Sequence, residues 1–494
     1  MHIKKSLIAL LMVGTLLIGA GITFIGLTVF NVIEPTESTN NVASSDQSNT
    51  ITDTEQEDVS QSDLEKMEKV ASAFDIIKTS YLEEVEDGAL IEGAIQGMLE
   101  TLGDPYSVYM DQETMEQFNE QIESSFEGIG AEVSMVEGNV TIVAPIKDSP
   151  AEEAGLRPND QILSVDGESI EGMELYDAVA KIRGEKGTTV TLEVRRPGVD
   201  DILSIEITRD SIPLETVYAE TREQDGKTVG IIELTSFSEK TSERFEEELT
   251  KLEEDGIDGL VIDVRGNPGG LLPSVEEILK NFVPKDTPYI QIEDPKGEKS
   301  RYFSNIEEPK SYPISVLIDE GSASASEILA IALNEAEDYP TVGTTSFGKG
   351  TVQQTVSMGD GSTIKLTRFK WLSPEGNWIH EEGVEPTVEQ KQPEYYYTNP
   401  IQLEEPFTFN DSDDKISNVQ VMLKGLGYEP GREDGYFSEE TQQAVEAFQT
   451  AEEIEATGEI NEETAEVLQT RIIEKIRSGD DDVQLEKAME VLFQ

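Results

Sequence analysis

The chain opens on an uncharged, mostly apolar run from Ser6 to Phe30, preceded by Lys4 and Lys5. As a helix this run spans roughly 37 Å, more than the roughly 30 Å hydrocarbon core of a bilayer. A secretory signal core is shorter, about 7 to 15 residues, and no clear A-x-A cleavage site follows Phe30. The run is therefore read as an uncleaved transmembrane helix, with removal as a signal peptide and secretion as the alternative. Both lysines stay inside, so everything after Phe30 is expected outside the cytoplasm. From Glu34 to Ser60 large apolar residues are almost absent, as in a disordered linker. The spacing Leu64, Met67, Val70, Phe74, Ile77 then predicts an amphipathic helix, with more helices to about Ile122.

The period changes after Gly128. Short Val/Ile-rich segments broken by Gly, Pro and Asp surround one helix near Glu174 to Ile182, which predicts a compact β-rich unit. From Gly230 the apolar runs VGIIEL, GLVIDV and SVLIDE alternate with the amphipathic stretches SERFEEELTKL and LLPSVEEILKNF and a helix starting near Ser324. That alternation predicts a sheet covered by helices. A polar stretch, 390–415, precedes a last apolar pattern beginning VQVMLKGLGY.

Composition narrows the functions available. Asp and Glu number 101 against 37 Lys and Arg, a net charge of −64, which repels nucleic-acid phosphates and anionic lipid. A nucleic-acid partner is excluded. There is no cysteine, so disulfides, thiolate metal sites and a cysteine nucleophile are excluded as well. With only His2 and His380, a histidine-rich metal site also fails.

The stretch GSASASEIL, 321–329, places serines at 322, 324 and 326 ahead of a helix. Ser324 with Glu327 fits a capping box. A catalytic reading requires a base to take the hydroxyl proton. Only His380 could serve a Ser-His-Asp triad, so Lys349 in SFGKGTVQQ is the other candidate; burial disfavours the ammonium and can leave the amine free to act. The acidity of the chain opposes this by raising the lysine pKa, and burial must outweigh it.

GIGAEV followed by SPAEEAGLRPNDQILSVDG resembles a PDZ domain, in which backbone N–H groups of a Gly-rich turn hold a terminal carboxylate and a strand edge accepts the peptide. DVRGNPGG, GSASASEIL and FGKGTVQQ, in that order after such a unit, resemble the C-terminal processing peptidases, the tail-specific S41 serine proteases. Leu426-Gly427-Tyr428, Asp434-Gly435-Tyr436-Phe437 and Ala444–Phe448 resemble a peptidoglycan-binding domain, with Ser438 where that family usually has glycine.

The resemblance implies an α/β (α+β) multidomain chain: a PDZ domain inserted before a crotonase/ClpP-like α/β protease core, a small all-α C-terminal domain and the N-terminal membrane helix. The expected division is 1–33 cytoplasmic tip and anchor, 34–60 linker, 61–122 helical region, 123–212 PDZ domain, 213–392 protease core, 393–415 linker and 416–494 peptidoglycan-binding-like domain. It also implies Ser324 as nucleophile, Lys349 as general base, and Gln353, one turn further on, as the residue orienting the lysine amine. The backbone N–H of Ala325, together with Gly269 or Gly270, would form the oxyanion hole. Asp263 and Arg265 would shape the turn, and His380 would be structural. Gly128, Ile129 and Gly130 would bind the substrate's terminal carboxylate. Arg183 either couples peptide binding to activation, as in some relatives, or is a salt-bridged surface residue.

The expected activity is extracytoplasmic endoproteolysis of proteins with free, apolar C-termini, without metal or cofactor. Peptidoglycan and the membrane are further expected partners, and the helices before the PDZ unit are candidates for homodimerisation. Two other readings stay open: an inactive cell-envelope adaptor, and hydratase-like chemistry on a similar core.

Overall fold

Alternate residues of the central strands are buried on opposite faces of one sheet. The computed structural model describes residues 61–494 except 124, 137, 147, 148, 174, 198, 200, 402 and 404; the membrane helix and linker expected over 1–60 lie outside the described residues. The sheet has six strands, in the order Val217–Gln224, Lys227–Leu234, Gly259–Asp263, Ile314–Ile318, Thr341–Gly343 and Val388–Glu389. The first pair is antiparallel and the remaining pairs are parallel. Ile232, Leu234, Leu260, Ile262, Val316 and Ile318 face the helices Thr241–Asp255, Leu272–Leu279 and Ala325–Glu337. Val229, Ile231, Val261, Leu317 and Val342 face the other way, under Leu485, Ala488 and Met489 of the last helix, Val483–Val491, and its C-cap Leu492. Burial on both sides is why these strands read as continuous apolar runs.

The segment expected as one helical unit, 416–494, therefore spreads over two neighbours. The helices Asp414–Gly425, Glu439–Ala451 and Glu462–Ser478 form their own core around Leu423, Phe437, Phe448 and Leu468. The last helix lies on the central sheet, where Ser315 Oγ donates to the carbonyl of Ala488 at 3.0 Å. Tyr395 and Ile401, in the stretch read as a linker, are buried against the three-helix core.

A second, antiparallel sheet is built around the long strand Thr363–Leu372, which pairs with Thr351–Ser357, Pro288–Glu293 and Val108–Met110. Val108–Met110 departs from the all-helical reading of 61–122. It comes from the N-terminal region and pairs with Lys365, Ile364 and Thr363. The β-rich unit forms the sheet Ala131–Val136, Asn139–Pro145, Gln161–Val165, Thr189–Arg195 and Leu203–Thr208, with a core of its own that includes Ile129, Ile142, Leu192 and Ile182. Among the described residues, Ala131–Val136 is an edge strand of that sheet. No described helix is long and apolar enough to cross a membrane.

Candidate active site

The three serines of GSASASEIL have different fates. Ser322 Oγ donates to the carbonyl of Val264 at 2.7 Å and Ser326 Oγ to that of Asn267 at 2.9 Å. Both hydroxyls thus fasten the serine loop to the turn of DVRGNPGG. Ser324 sits between them at φ 54, ψ −110, a backbone conformation that costs a non-glycine residue of order 1–3 kcal/mol. It occupies the N-cap of Ala325–Glu337, where the aligned N–H groups favour developing negative charge.

The turn presses against this residue. Asn267 donates from Nδ2 to the carbonyl of Leu234 at 2.7 Å, and its Oδ1 accepts from the Gly269 N–H at 2.8 Å. At Gly269, φ 103, an added Cβ would lie 2.5 Å from the Ala323 carbonyl oxygen and 2.9 Å from Ala325 N. Only glycine fits there. The Gly269 N–H is engaged by Asn267, which leaves Gly270 as the other glycine of the expected donor pair. Arg265 is clamped between carboxylates, with Nε 2.9 Å from Asp263 Oδ1 and Nη2 2.8 Å from Asp482 Oδ2. Asp263 and Arg265 thus hold the turn to the last helix.

Glu327 does more than close the capping box. Its carboxylate, fully buried, accepts from Ser324 N at 2.7 Å, Lys349 N at 2.8 Å, Gly348 N at 2.6 Å and Ser346 Oγ at 2.6 Å. Burial raises its pKa, and these hydrogen bonds oppose the rise. The Phe347 N–H adds a bond to the Ser322 carbonyl at 3.0 Å. The lysine loop and the serine loop are thereby one unit.

Lys349 is 1% exposed. Burial lowers its pKa to about 8, against Glu327 and Asp104, which raise it. Desolvation thus outweighs the acidic surroundings. Its Nζ lies 4.9 Å from the centre of the Tyr106 ring. Gln353 is equally buried, but it stands in the strand Thr351–Ser357 rather than one helical turn from the lysine, just past a register shift between Val352 and Gln353. Its Nε2 donates to Thr351 Oγ1 and Thr367 Oγ1, both at 3.0 Å, while Oε1 is buried without a hydrogen-bond partner. His380 is not placed as a base: its Nδ1 accepts from the Gly350 N–H at 3.3 Å and its ring stacks on Trp378.

Asp104, Tyr106 and Ser107 were not singled out from the sequence. Ser107 Oγ donates to Asp104 Oδ2 at 2.5 Å and accepts from Thr367 N at 3.0 Å, so the GDPYS segment closes over the lysine from a distant part of the chain. Its only sequence signal is an Asp-Pro turn. A cavity of about 470 Å³ opens beside it, lined by Asp104, Thr351, Thr367, Lys370 and His380 among others.

In the β-rich unit Gly128 ends the strand Ser125–Gly128, Ile129 is buried, and Gly130 has φ 77 with Ser149 packed where a Cβ would sit. Together they lead into the free-edged strand Ala131–Val136. Arg183, at the end of the helix Leu175–Ile182, pairs with Glu120 of Gln112–Ile122 at 2.8 Å and lies 5.0 Å from the Phe126 ring centre.

Residues 228–390 match the family model for peptidase family S41. The carboxy-terminal processing protease CtpB of Bacillus subtilis (strain 168) is 55% identical over 427 residues, 86% of this chain and 89% of that protein. The chain belongs to the carboxy-terminal processing proteases. The protease also resembles CtpA of the same organism, at 41% identity over 86% of this chain and 90% of that one. Residues 16–114 match the model for the activating protease CtpB N-terminal domain, 141–196 a PDZ domain and 412–468 a putative peptidoglycan binding domain. Among solved structures, the photosystem II D1 C-terminal processing protease is 27% identical, with a TM-score of 0.40, covering 65% of this chain and 92% of that one. The protease is a serine peptidase of family S41 that carries a PDZ domain and a peptidoglycan-binding-like domain.

Proposed function

We propose that the protease cleaves proteins near free, apolar C-termini with a Ser324–Lys349 dyad, acting outside the cytoplasm from a membrane anchor. Ser324 Oγ attacks the scissile carbonyl and its proton passes to neutral Lys349 Nζ. That proton is then delivered to the leaving amine, and water hydrolyses the acyl-enzyme by the same route. The Ala325 N–H, at a helix N-terminus, and the Gly270 N–H receive the oxyanion. Gln353 Oε1, a buried acceptor without a partner, orients the lysine amine. The observation that carries the reading is a lysine buried enough to lose its proton near pH 8, held on the same carboxylate as the strained serine.

The substrate tail adds to the edge strand Ala131–Val136, its carboxylate on Gly128, Ile129 and Gly130, and Arg183 couples this binding to the core through Glu120. Met67, Val70, Ile77 and Ile91 are exposed on the N-terminal helices, and a second copy of the chain covers them in a homodimer. The C-terminal helical domain holds peptidoglycan.

The test uses the fragment from residue 61 and an unstructured peptide with an apolar free C-terminus, with products read by mass spectrometry. Cleavage by wild type and silence of Ser324→Ala and Lys349→Ala are expected. Cleavage by either variant overturns the dyad, and cleavage unaffected by amidating the peptide's C-terminus overturns tail recognition.

A further inference from the structure

The lysine loop is gripped by a segment that the proposed chemistry leaves unused, residues 377–384, in the sequence NWIHEEGV. Two hydrogen bonds fasten its end to Ser346: Ser346 N donates to the Val384 carbonyl at 3.1 Å, and Val384 N donates to Ser346 Oγ at 2.7 Å. At Gly383, φ 79, an added Cβ would lie 2.4 Å from the Ser346 carbonyl oxygen. Closer to the lysine, the Glu381 N–H donates to the Gly348 carbonyl at 2.8 Å. Glu381 makes that bond from φ 63, a left-handed conformation unfavourable for a residue with a side chain.

The grip is tightest at the root of the lysine side chain. All four main-chain hydrogen-bonding groups of Lys349 and Gly350 are engaged. The Lys349 N–H donates to Glu327 Oε2 at 2.8 Å and the Gly350 N–H to His380 Nδ1 at 3.3 Å. The Lys349 carbonyl accepts from Trp371 Nε1 and the Gly350 carbonyl from Trp378 Nε1, each at 2.8 Å. The chain has two tryptophans, and both indole N–H groups go to these adjacent carbonyls. Trp378 and His380 stack with ring centres 5.1 Å apart, so they meet Gly350 as one unit. A Cβ on Gly350 would lie 2.7 Å from Trp378 Nε1 and 2.9 Å from His380 Cβ, which leaves no room for a side chain between them. An imidazole whose Nδ1 accepts is neutral and carries its proton on Nε2.

We propose that Trp378 and His380 are positioning residues for catalysis: by holding the carbonyl and the N–H of Gly350, they set the direction from which Lys349 presents its amine to Ser324. The inference rests on the dyad reading given above. The amine stands at the end of a flexible four-carbon stem, so its place relative to the serine depends on how firmly the main chain at its root is fixed. His380 acts here through Gly350, as a hydrogen-bond acceptor and not as a base.

The experiment measures kcat and KM separately, with thermal unfolding, for wild type, His380→Phe, His380→Asn, Trp378→Phe and Lys349→Ala, on the peptide substrate described above. His380→Phe keeps an aromatic ring on Trp378 but removes the acceptor, and the cavity of about 470 Å³ that both residues line gives the larger ring room. His380→Asn gives up the ring but returns an acceptor oxygen close to the place of Nδ1. Trp378→Phe keeps a ring and removes the donor. Both phenylalanine variants should lose roughly tenfold or more in kcat with KM little changed, because a small misplacement of a reacting group is enough for such a loss. His380→Asn should recover to within about threefold of wild type. A merely structural role, in which the stacked ring is what counts, would leave His380→Asn as slow as His380→Phe or slower. That result, wild-type kcat in either phenylalanine variant, or a change confined to KM overturns the inference. If His380→Phe does not unfold cooperatively, His380→Leu takes its place under the same criteria. Activity in Lys349→Ala would sink the dyad itself; silence there with wild-type kcat in the phenylalanine variants sinks only the role of Trp378 and His380.

Discussion

Ser324 and Lys349 donate their backbone N–H groups to one carboxylate oxygen, Glu327 Oε2, at 2.7 and 2.8 Å. The proposed nucleophile and its proposed base are thus tied to each other through their main chains. Glu327→Gln keeps the volume but replaces one acceptor oxygen with an amide that donates towards N–H donors. Leaving one or two buried donors unsatisfied costs about 1–3 kcal/mol each. The expected result is a folded protein with kcat/KM reduced at least tenfold and a lowered melting temperature. Wild-type activity in Glu327→Gln would remove Glu327 from the site's architecture.

Lys349 should cost the fold stability at neutral pH. Its folded-state pKa, about 8, lies below the ordinary 10.5, so between these values the unfolded chain binds more protons and stability rises with pH. Below pH 8 the penalty is fully present, on the order of 3 kcal/mol. Lys349→Met should therefore abolish cleavage yet raise the melting temperature at pH 7, with the gain shrinking towards pH 10. Calorimetry of the two proteins at pH 7 and 9.5 checks this, and a lower melting temperature for the variant at pH 7 contradicts it.

The serine and lysine motifs stood out through their order, DVRGNPGG, GSASASEIL and FGKGTVQQ after a PDZ-like unit, since Ser324 with Glu327 alone fits a capping box. The parts contributed by distant chain were not. Asp104 and Tyr106 reach Lys349 only because the three-residue strand Val108–Met110 pairs with Thr363–Lys365. A strand that short has no period to detect, and it vanished into a helical reading of its surroundings. The last helix was equally opaque: it was included in the helical domain 416–494, and nothing local shows that the central sheet, rather than the neighbouring helices, is its partner. Gln353 was named from the family resemblance and expected one helical turn beyond Lys349, whereas the chain there is the strand Thr351–Ser357.

Gly269 and Gly266 lie in the same turn and should respond differently to alanine. Both have positive φ, 103 and 63, so each substitution carries backbone strain of roughly 1–2 kcal/mol. At Gly266 the added methyl meets open space, whereas at Gly269 it meets backbone atoms of Ala323 and Ala325 at 2.5 and 2.9 Å. Gly269→Ala must displace the Ser324 backbone or the turn and should lower kcat/KM by about a hundredfold or more, as loss of an oxyanion donor does. Gly266→Ala should stay within a few fold of wild type. Equal activities in the two variants would show that the close approach at Gly269 has no catalytic consequence.

The last helix belongs energetically to the protease core, although it follows the peptidoglycan-binding-like region. Removing residues 480–494 would uncover Val229, Ile231, Val261, Leu317 and Val342 and take Asp482 from the buried guanidinium of Arg265. Breaking one side of a buried ion pair costs about 3–5 kcal/mol, and Leu485→Ala alone about 2–5 kcal/mol. The truncated protein should be insoluble or rapidly degraded, Asp482→Asn should lower stability and loosen the DVRGNPGG turn, and Leu485→Ala should lower the melting temperature with the dyad intact. Limited proteolysis and thermal unfolding of the three variants test this order. A truncated protein that stays soluble and active would mean that the helix merely rests on the sheet, because a face of five buried aliphatic side chains cannot be exposed to water without a large loss of stability.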